Sequence, residues 1–124
     1  MENIKVITLT KELLYFTDVI LQQFEETKRE GKERDFYREV MPFAKKVQFT
    51  LDQWFDLVQA WLKEHEHKYL NSNQVLNAKE QLEKVAIQAF FPNTSKKKFL
   101  DSIQAIKFIF SSIMYEAEGS NKQN

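Results

Sequence analysis

The sequence feature that most constrains the fold is an amphipathic stretch over residues 93–118, NTSKKKFLDSIQAIKFIFSSIMYEAE. Its apolar residues recur at spacings of 4, 3, 4, 3 and 4, which is the period of one face of an α-helix. They are Phe99, Ile103, Ile106, Phe110, Ile113 and Ala117. A stripe this long cannot bury itself, so it requires other amphipathic helices to pack against.

The first of these partner helices is predicted near the N-terminus. It begins at about Thr8, with Thr8 or Thr10 as the N-cap, and ends in KREGKER, where Gly31 supplies a left-handed C-cap. Its apolar stripe consists of Leu9, Leu13, Phe16, Ile20, Phe24 and Thr27. Residues 1–7 form either an extended arm or an early start of this helix.

Helix two is predicted from the N-cap Asp35 to about Lys68. Because Pro42 lacks an N–H and clashes with the carbonyl four residues earlier, it either kinks this helix or is a first-turn residue after a separate turn over 35–41. The stripe consists of Phe36, Val40, Ala44, Val47, Leu51, Trp54, Val58, Trp61 or Leu62, and His65.

Helix three follows a polar connection over 69–73 and ends before Pro92, which disfavours a helical conformation in the residue preceding it. Its stripe consists of Val75, Ala78, Leu82, Val85 and Ala89. Asn93, Thr94 and Ser95 then offer N-caps for the fourth helix.

Length and composition favour one helical domain. The chain has 124 residues with 43% hydrophobic and 29% charged, and only two glycines and two prolines, which argues against a turn-rich β-fold. Short connections between helices of similar length make neighbours antiparallel. We therefore predict an all-α protein, an up-down-up-down antiparallel four-helix bundle over 1–118, with a disordered tail over 119–124.

Charge and cysteine content exclude several classes of partner and site. Eighteen basic and eighteen acidic residues cancel, so the molecule has no overall field that attracts nucleic acid or an anionic membrane. There is no cysteine, and no stretch approaches the 18 apolar residues of a membrane span. These features predict a cytoplasmic protein with no nucleic-acid or membrane partner.

The sequence gives little support for a metal site or a catalytic centre. Glu64 and His67 form one Glu-x-x-His step, but the only other histidine is His65 on the same turn, so a ferritin-like di-metal centre is excluded. We interpret this group as solvated side chains at the negative end of a helix dipole. Because there is also no Gly-x-Ser-x-Gly turn and no glycine-rich phosphate loop, we expect no enzyme activity, metal or cofactor.

A candidate anion site lies at the start of helix four. Cations in the first helical turn oppose the macrodipole, and an anion held by the free N–H groups would relieve that repulsion. The residues concerned are Ser95, Lys96, Lys97 and Lys98. Alternatively, the three lysines extend into solvent, where salt screens them.

A candidate interface lies on the back of helix four. At 100° per residue, Phe108 and Tyr115 point away from the apolar stripe, among small uncharged residues, and Phe49 points away from the stripe of helix two. These rings indicate a partner or self-association surface. The alternative is that the N-terminal arm, through Ile4, Val6 and Ile7, folds over the back of helix four and buries it.

Three segments, FYREVMPF, WFDLVQAW and FFPNTSKKKF, resemble the YppE-like family of small helical proteins of Bacillus and relatives. The resemblance covers nearly the whole chain, and it implies a cytoplasmic helical bundle of unknown function with no catalytic residue or cofactor to carry over. Residues and resemblance together predict a non-catalytic protein-interaction or regulatory adaptor module. The alternative is a small-molecule or anion-binding protein that uses the start of helix four or a pocket between helices.

Overall fold

The structure is a computed structural model of the chain, and it describes residues 2–64, 67 and 70–122. Within those residues it contains four α-helices, one short π-helical turn and no strand. The elements are α1 (Glu2–Glu30), the π-helical turn (Phe36–Val40), α2 (Met41–Glu64), α3 (Ser72–Gln88) and α4 (Lys96–Lys122). The predicted all-α class is confirmed.

Helix α1 begins earlier than the capping signals indicated. It starts at Glu2, so residues 2–7 form the early start of the helix and not an extended arm. The predicted N-caps are wrong: Thr8 Oγ1 donates to the carbonyl of Ile4 (2.9 Å), and Thr10 is buried inside the bundle. A threonine hydroxyl can bond to a carbonyl of its own helix, so it does not have to mark a helix start. The C-cap prediction is confirmed, because Gly31 has φ +68° and its N–H donates to the carbonyl of Thr27 (2.8 Å).

Of the two alternatives for helix two, the one with a separate turn before the main helix is confirmed. Asp35 caps the π-helical turn by accepting a hydrogen bond from the Arg38 N–H (2.9 Å), and α2 then begins at Met41. Pro42 is therefore a first-turn residue after a separate turn, where its missing N–H costs nothing. Helix α2 ends at Glu64, and the predicted end at Lys68 lies outside the described residues, as does His65.

Both later helices begin at side-chain caps. Asn71 and Gln74 form a capping box at the start of α3, each side chain bonding to the backbone N–H of the other (3.0 Å each). Ser95 Oγ accepts the Lys98 N–H (3.3 Å) at the start of α4. Helix α4 continues past Glu118 to Lys122. Disorder over 119–124 stays a prediction.

The four helices pack in a closed ring. Each helix packs against its neighbours in sequence, α1 also packs against α4, and α2 lies diagonally across from α4. Asn3 at the start of α1 donates to the carbonyl of Ala117 near the end of α4 (3.4 Å), and Ser72 at the start of α3 donates to Gln59 near the end of α2 (2.8 Å). These contacts join opposite ends of neighbouring helices, so the predicted up-down-up-down bundle is confirmed.

The core contains most of the predicted stripes. All six residues of the predicted helix-four stripe are buried, and so are all five of the helix-three stripe, although the last of them, Ala89, is the C-cap of α3. One member of the helix-two stripe is wrong: Phe36 is 44% exposed, because it belongs to the π-helical turn, whose five residues do not continue the period of α2. The choice between Trp61 and Leu62 is settled in favour of Trp61, which is fully buried.

The indole N–H groups of the two buried tryptophans have hydrogen-bond partners. Trp54 Nε1–H donates to Thr10 Oγ1 (2.9 Å), and Trp61 Nε1–H donates to Asn3 Oδ1 (3.0 Å). Each bond joins α1 to α2, and each satisfies an indole N–H that would otherwise be costly to bury. Thr10, which lies outside the predicted stripe of α1, is therefore part of the core.

Candidate protein-interaction surface

The outer face of α4 carries two large exposed aromatic side chains. Phe108 is 68% exposed and Tyr115 is 82% exposed, and they lie seven residues apart, on the same side of the helix and about 10 Å apart along its axis. Between them, the Ser112 hydroxyl donates to the carbonyl of Phe108 (2.8 Å), which occupies its only donor within its own helix. The face is therefore aromatic and weakly polar.

A groove between α3 and α4 borders this face. It has a volume of about 530 Å³, and Phe108 forms part of its wall. The other lining residues are Gln74, Asn77, Ala78, Gln81, Asp101, Gln104, Ala105 and Ile109. The groove lies between helices, where the sequence interpretation placed the alternative small-molecule pocket. Its lining combines four carboxamides with the apolar side chains of Ala78, Ala105, Phe108 and Ile109.

The N-terminal residues do not cover this face. Val6 is fully buried in the core and Ile4 is 55% exposed, while Phe108 and Tyr115 stay open to solvent. The alternative in which the N-terminus buries the back of α4 is therefore wrong. Those residues belong to α1, whose regular backbone carries them along the bundle and not across α4.

Phe49 does not join the other two rings. It is 71% exposed on α2, between the exposed residues Lys45, Lys46 and Asp52. Because α2 and α4 lie on a diagonal, their solvent-facing sides point to opposite sides of the bundle. The structure thus separates the predicted interface residues into one pair on α4 and one isolated ring on α2.

The predicted anion site lies at the other end of α4 from Tyr115. Its lysines, Lys96, Lys97 and Lys98, are exposed, and the Ser95 hydroxyl already accepts the Lys98 N–H. Lys97 Nζ pairs with Asp101 (3.0 Å), which lowers the positive charge available to an anion. The anion site stays a prediction, with fewer free groups than the sequence indicated.

His67 takes a position that the sequence interpretation missed. Its side chain is 4% exposed, its Nδ1 is hydrogen-bonded to Glu116 Oε1 of α4 (2.8 Å), and its ring lies 4.2 Å from the Trp61 ring, between centroids. The expectation of a solvated partner of the helix dipole is therefore wrong for this residue. Among the described residues, no cluster of three or more potential metal ligands occurs.

Two ionic clusters join elements away from α4. Arg34 contacts Glu30 (3.0 Å), Glu39 (3.3 Å) and Glu26 (3.5 Å), so it ties α1 to the π-helical turn. Partial burial lowers the pKa of its guanidinium, but the carboxylates, Glu30 foremost, more than offset this and raise the pKa above its ordinary value. These contacts account for Arg34 as a structural residue.

Lys79 on α3 has a similar role. Its Nζ lies 2.9 Å from Glu83 and 3.8 Å from Asp52 of α2, and 5.6 Å from the centre of the Phe55 ring. The hydrogen bond to Glu83 is the main cause of a raised pKa of the Lys79 ammonium group; partial burial acts in the opposite direction. The cluster joins α2 to α3.

The sequence interpretation did not identify the carboxamides of the groove. Gln74, Asn77 and Gln81 recur at spacings of 3 and 4 on α3, so they share one side of that helix, and Gln104 faces them from α4. A search for uncharged polar residues at helical spacing would have found the α3 set. It would not have shown which neighbouring helix they face.

Comparison with known proteins gives a family and a fold. The family model described as "Bacterial domain of unknown function (DUF1798)" matches residues 10–116. No curated protein matches the chain. Within the described part of the chain, no helix combines the length and apolar character needed to cross a bilayer.

Three crystal structures share the architecture. A protein of unknown function from Listeria innocua is 21% identical and aligns over 98% of this chain and 97% of its own, with a TM-score of 0.93. YppE from Bacillus subtilis is 15% identical over 95% of this chain and 96% of its own, with a TM-score of 0.89. A DUF1798 protein from Staphylococcus aureus is 22% identical over 91% and 96%, with a TM-score of 0.84.

These structures support the fold, and the family match covers most of the chain, so the resemblance to YppE-like proteins is confirmed. The relatives carry no named function. The chain belongs to the bacterial DUF1798 family.

Proposed function

We propose that this protein is a non-catalytic protein-interaction module that binds a partner protein through the outer face of α4. The observation that supports this most strongly is the exposure of Phe108 and Tyr115 on one uncharged stretch of a single helix. Exposed large apolar groups that form one surface indicate an interaction site more strongly than scattered ones do.

The energetics favour this face over the exposed ring of Phe49. Fully burying a large apolar side chain contributes about 1.5–3 kcal/mol, and aromatic residues dominate the binding energy of many interfaces. Phe108 and Tyr115 together offer a partner two such groups on one face. Phe49 offers one ring among charged neighbours, which a partner would have to desolvate.

The remaining properties of the chain agree with a cytoplasmic module without catalysis. It has no cysteine and no net charge, which suits a reducing compartment and a neutral partner surface. Its sequence lacks the nucleophile turn and the phosphate loop of common enzyme classes. An adaptor role requires neither the nucleophile turn nor the phosphate loop.

The proposal is tested by affinity capture from a lysate of the host bacterium, using the full chain and three single variants. We expect one protein to be enriched by the wild type, to be lost with Phe108→Ser and Tyr115→Ser, and to be retained with the control Phe49→Ser. The control removes an equally exposed ring from the opposite side of the bundle.

Sedimentation velocity on the purified chain tests whether the partner is a second copy. A concentration-dependent dimer that Phe108→Ser abolishes supports self-association through the same face. A monomer that captures no protein, or a captured protein that all three variants retain, contradicts the proposed function.

A further inference from the structure

We propose that the groove between α3 and α4 binds a short, extended and uncharged peptide segment of a partner protein. This inference rests on the proposed function and deepens it, because it names the part of the partner that is recognised. Phe108 belongs both to the groove wall and to the outer face of α4, so the two surfaces are continuous.

The polar chemistry of the groove matches a peptide backbone. Carboxamides line it from both helices: Gln74, Asn77 and Gln81 from α3, and Gln104 from α4. Each carboxamide offers a donor and an acceptor, the same pair that a peptide group presents through its N–H and C=O. A segment that lies between the two helices would meet complementary groups on both sides.

These carboxamides are available for binding. Within the described part of the chain, the side chains of Asn77, Gln81 and Gln104 make no hydrogen bond to another protein group, and the Gln74 side chain uses only its Oε1, which accepts the Asn71 N–H (3.0 Å). The groove therefore holds several donors and acceptors that the fold itself does not use.

The charge of the groove selects an uncharged ligand. Asp101 is its one ionisable lining residue, and its carboxylate is paired with Lys97 (3.0 Å). A phosphate group would meet no unpaired cation in the lining and would lie beside a carboxylate. A neutral peptide loses only the hydration of its amide groups, and hydrogen bonds to the carboxamides would offset that loss.

The dimensions fix the length of the segment. The volume of about 530 Å³ lies in the range of sites that bind small ligands, and the short side chains of Ala78 and Ala105 form part of the lining. On α3 the lining runs from Gln74 to Gln81, about 10 Å along the helix axis. At about 3.3 Å per extended residue, this length accommodates about three residues.

The experiment uses a phage-displayed library of random 12-residue peptides selected on the full chain. A synthetic copy of the most enriched peptide is then titrated by calorimetry against the wild type, two groove variants and a control. Gln81→Glu and Gln104→Glu keep the side-chain shape but remove the amide donor and add a charge. Gln22→Glu makes the same change on an exposed part of α1, away from the groove.

We expect the enriched peptides to share an uncharged core of about three residues. The Kd should rise about tenfold or more with each groove variant, since an unpaired acceptor meets a peptide carbonyl, and should not change with Gln22→Glu. Ala105→Trp, which fills the groove without altering a carboxamide, should abolish binding. Circular dichroism melting of each variant shows that the bundle is intact.

Several results would overturn the inference. They are the absence of any enriched peptide, enrichment of acidic or basic peptides, or a selected peptide that binds all groove variants as tightly as the wild type. A failure of this inference can be distinguished from a failure of the proposed function. If a cellular partner is lost with Tyr115→Ser but retained with Gln81→Glu and Ala105→Trp, the module stands and the groove has no part in recognition.

Discussion

The two faces of α4 contain the same residue type in opposite environments. Phe110 is fully buried and its ring packs edge-on against Trp54 across the bundle, 5.2 Å between centroids. Phe108, two residues earlier, is 68% exposed beside an open groove. Because two residues correspond to about 200° around a helix, the backbone itself assigns one ring to the core and the other to solvent.

This comparison shows that the role of a phenylalanine on α4 depends on whether it lies on the buried or the exposed face of the helix. The inner face repeats at helical spacing because every helix of the bundle needs it for stability. The outer face makes no contribution to the core, so its aromatic rings need another explanation, and partner binding is the one we propose. Stability and binding should therefore respond to different substitutions on the same helix.

The largest expected effect is the difference in stability between two variants, in which either the buried or the exposed ring is replaced by alanine. Phe110→Ala should lower the free energy of unfolding by about 3–5 kcal/mol, because it leaves a cavity in a packed core. Phe108→Ala should change it by less than about 0.5 kcal/mol, as surface substitutions usually do. Urea unfolding followed by circular dichroism measures both. Equal losses of unfolding free energy in the two variants would contradict the distinction between the buried and the exposed face of α4.

A second prediction extends the comparison to buried polar groups. Thr10→Val keeps the shape of the side chain but removes the acceptor of the Trp54 indole N–H, so it should lower the free energy of unfolding by about 1–3 kcal/mol. Thr17→Val is the matched control, because the Thr17 hydroxyl donates only to the Leu13 carbonyl of its own helix (2.7 Å).

That control should lower the stability by less than about 1 kcal/mol, since the carbonyl retains its helical partner. Urea unfolding of the two variants under identical conditions provides the comparison. If Thr10→Val costs no more than Thr17→Val, the hydrogen bond between Thr10 and Trp54 makes no net contribution to stability.

A smaller effect concerns the exposed first turn of α4. Replacing Lys96 and Lys98 by Glu should raise the stability by about 0.3–1 kcal/mol per site at low ionic strength, because carboxylates favour the positive end of the helix dipole. The gain should disappear in high salt. Thermal melts at two salt concentrations test this.

The same melts test the anion site when phosphate replaces chloride at equal ionic strength. A wild-type melting temperature that rises in phosphate, with no rise in the double variant, supports anion binding by these lysines. Equal melting temperatures in the two salts contradict it.

The smallest effect is expected at Lys79, which lies between the inner and outer faces of α3. Its pKa is raised above the ordinary value of 10.5 in the folded protein, so its contribution to stability is present below pH 10.5 and is lost as the pH rises through the folded-state pKa. Lys79→Met should cost about 0.5 kcal/mol at pH 7, in keeping with partly exposed ion pairs.

The stability difference between wild type and Lys79→Met should shrink above pH 10.5. Urea unfolding of both proteins at pH 7 and at pH 11 measures it, and taking the difference cancels the titration of other groups. A difference that stays constant between these pH values would contradict the ionic contribution and leave only packing against Phe55.

Most of the fold could be predicted from the sequence, and each wrong prediction has an identifiable structural cause. The stripes of α3 and α4 are correct throughout because each is an uninterrupted helix with one buried side. Phe36 was misplaced because a π-helical turn interrupts the 3.6-residue period before α2. Thr10 was read as a cap because its local sequence cannot reveal a hydrogen bond to Trp54, 44 residues later in the chain.

Only part of the candidate site could be predicted from the sequence. The period of α4 placed Phe108 and Tyr115 opposite the core, and the structure shows both exposed. The groove required knowledge of which helix lies beside which, because its lining comes from α3 and α4 together. The burial of His67 against Glu116 likewise depends on two segments that are 49 residues apart.

The sequence by itself determined the helices, their buried faces and the class of fold, because these follow from the spacing of apolar residues within one segment. The tertiary structure alone decided which outward-facing groups become neighbours. It set Phe49 apart from Phe108 and brought the carboxamides of two helices to one groove. The physical reason is that periodicity fixes how a helix is oriented toward the core, whereas the pairing of surfaces depends on how whole helices pack around it.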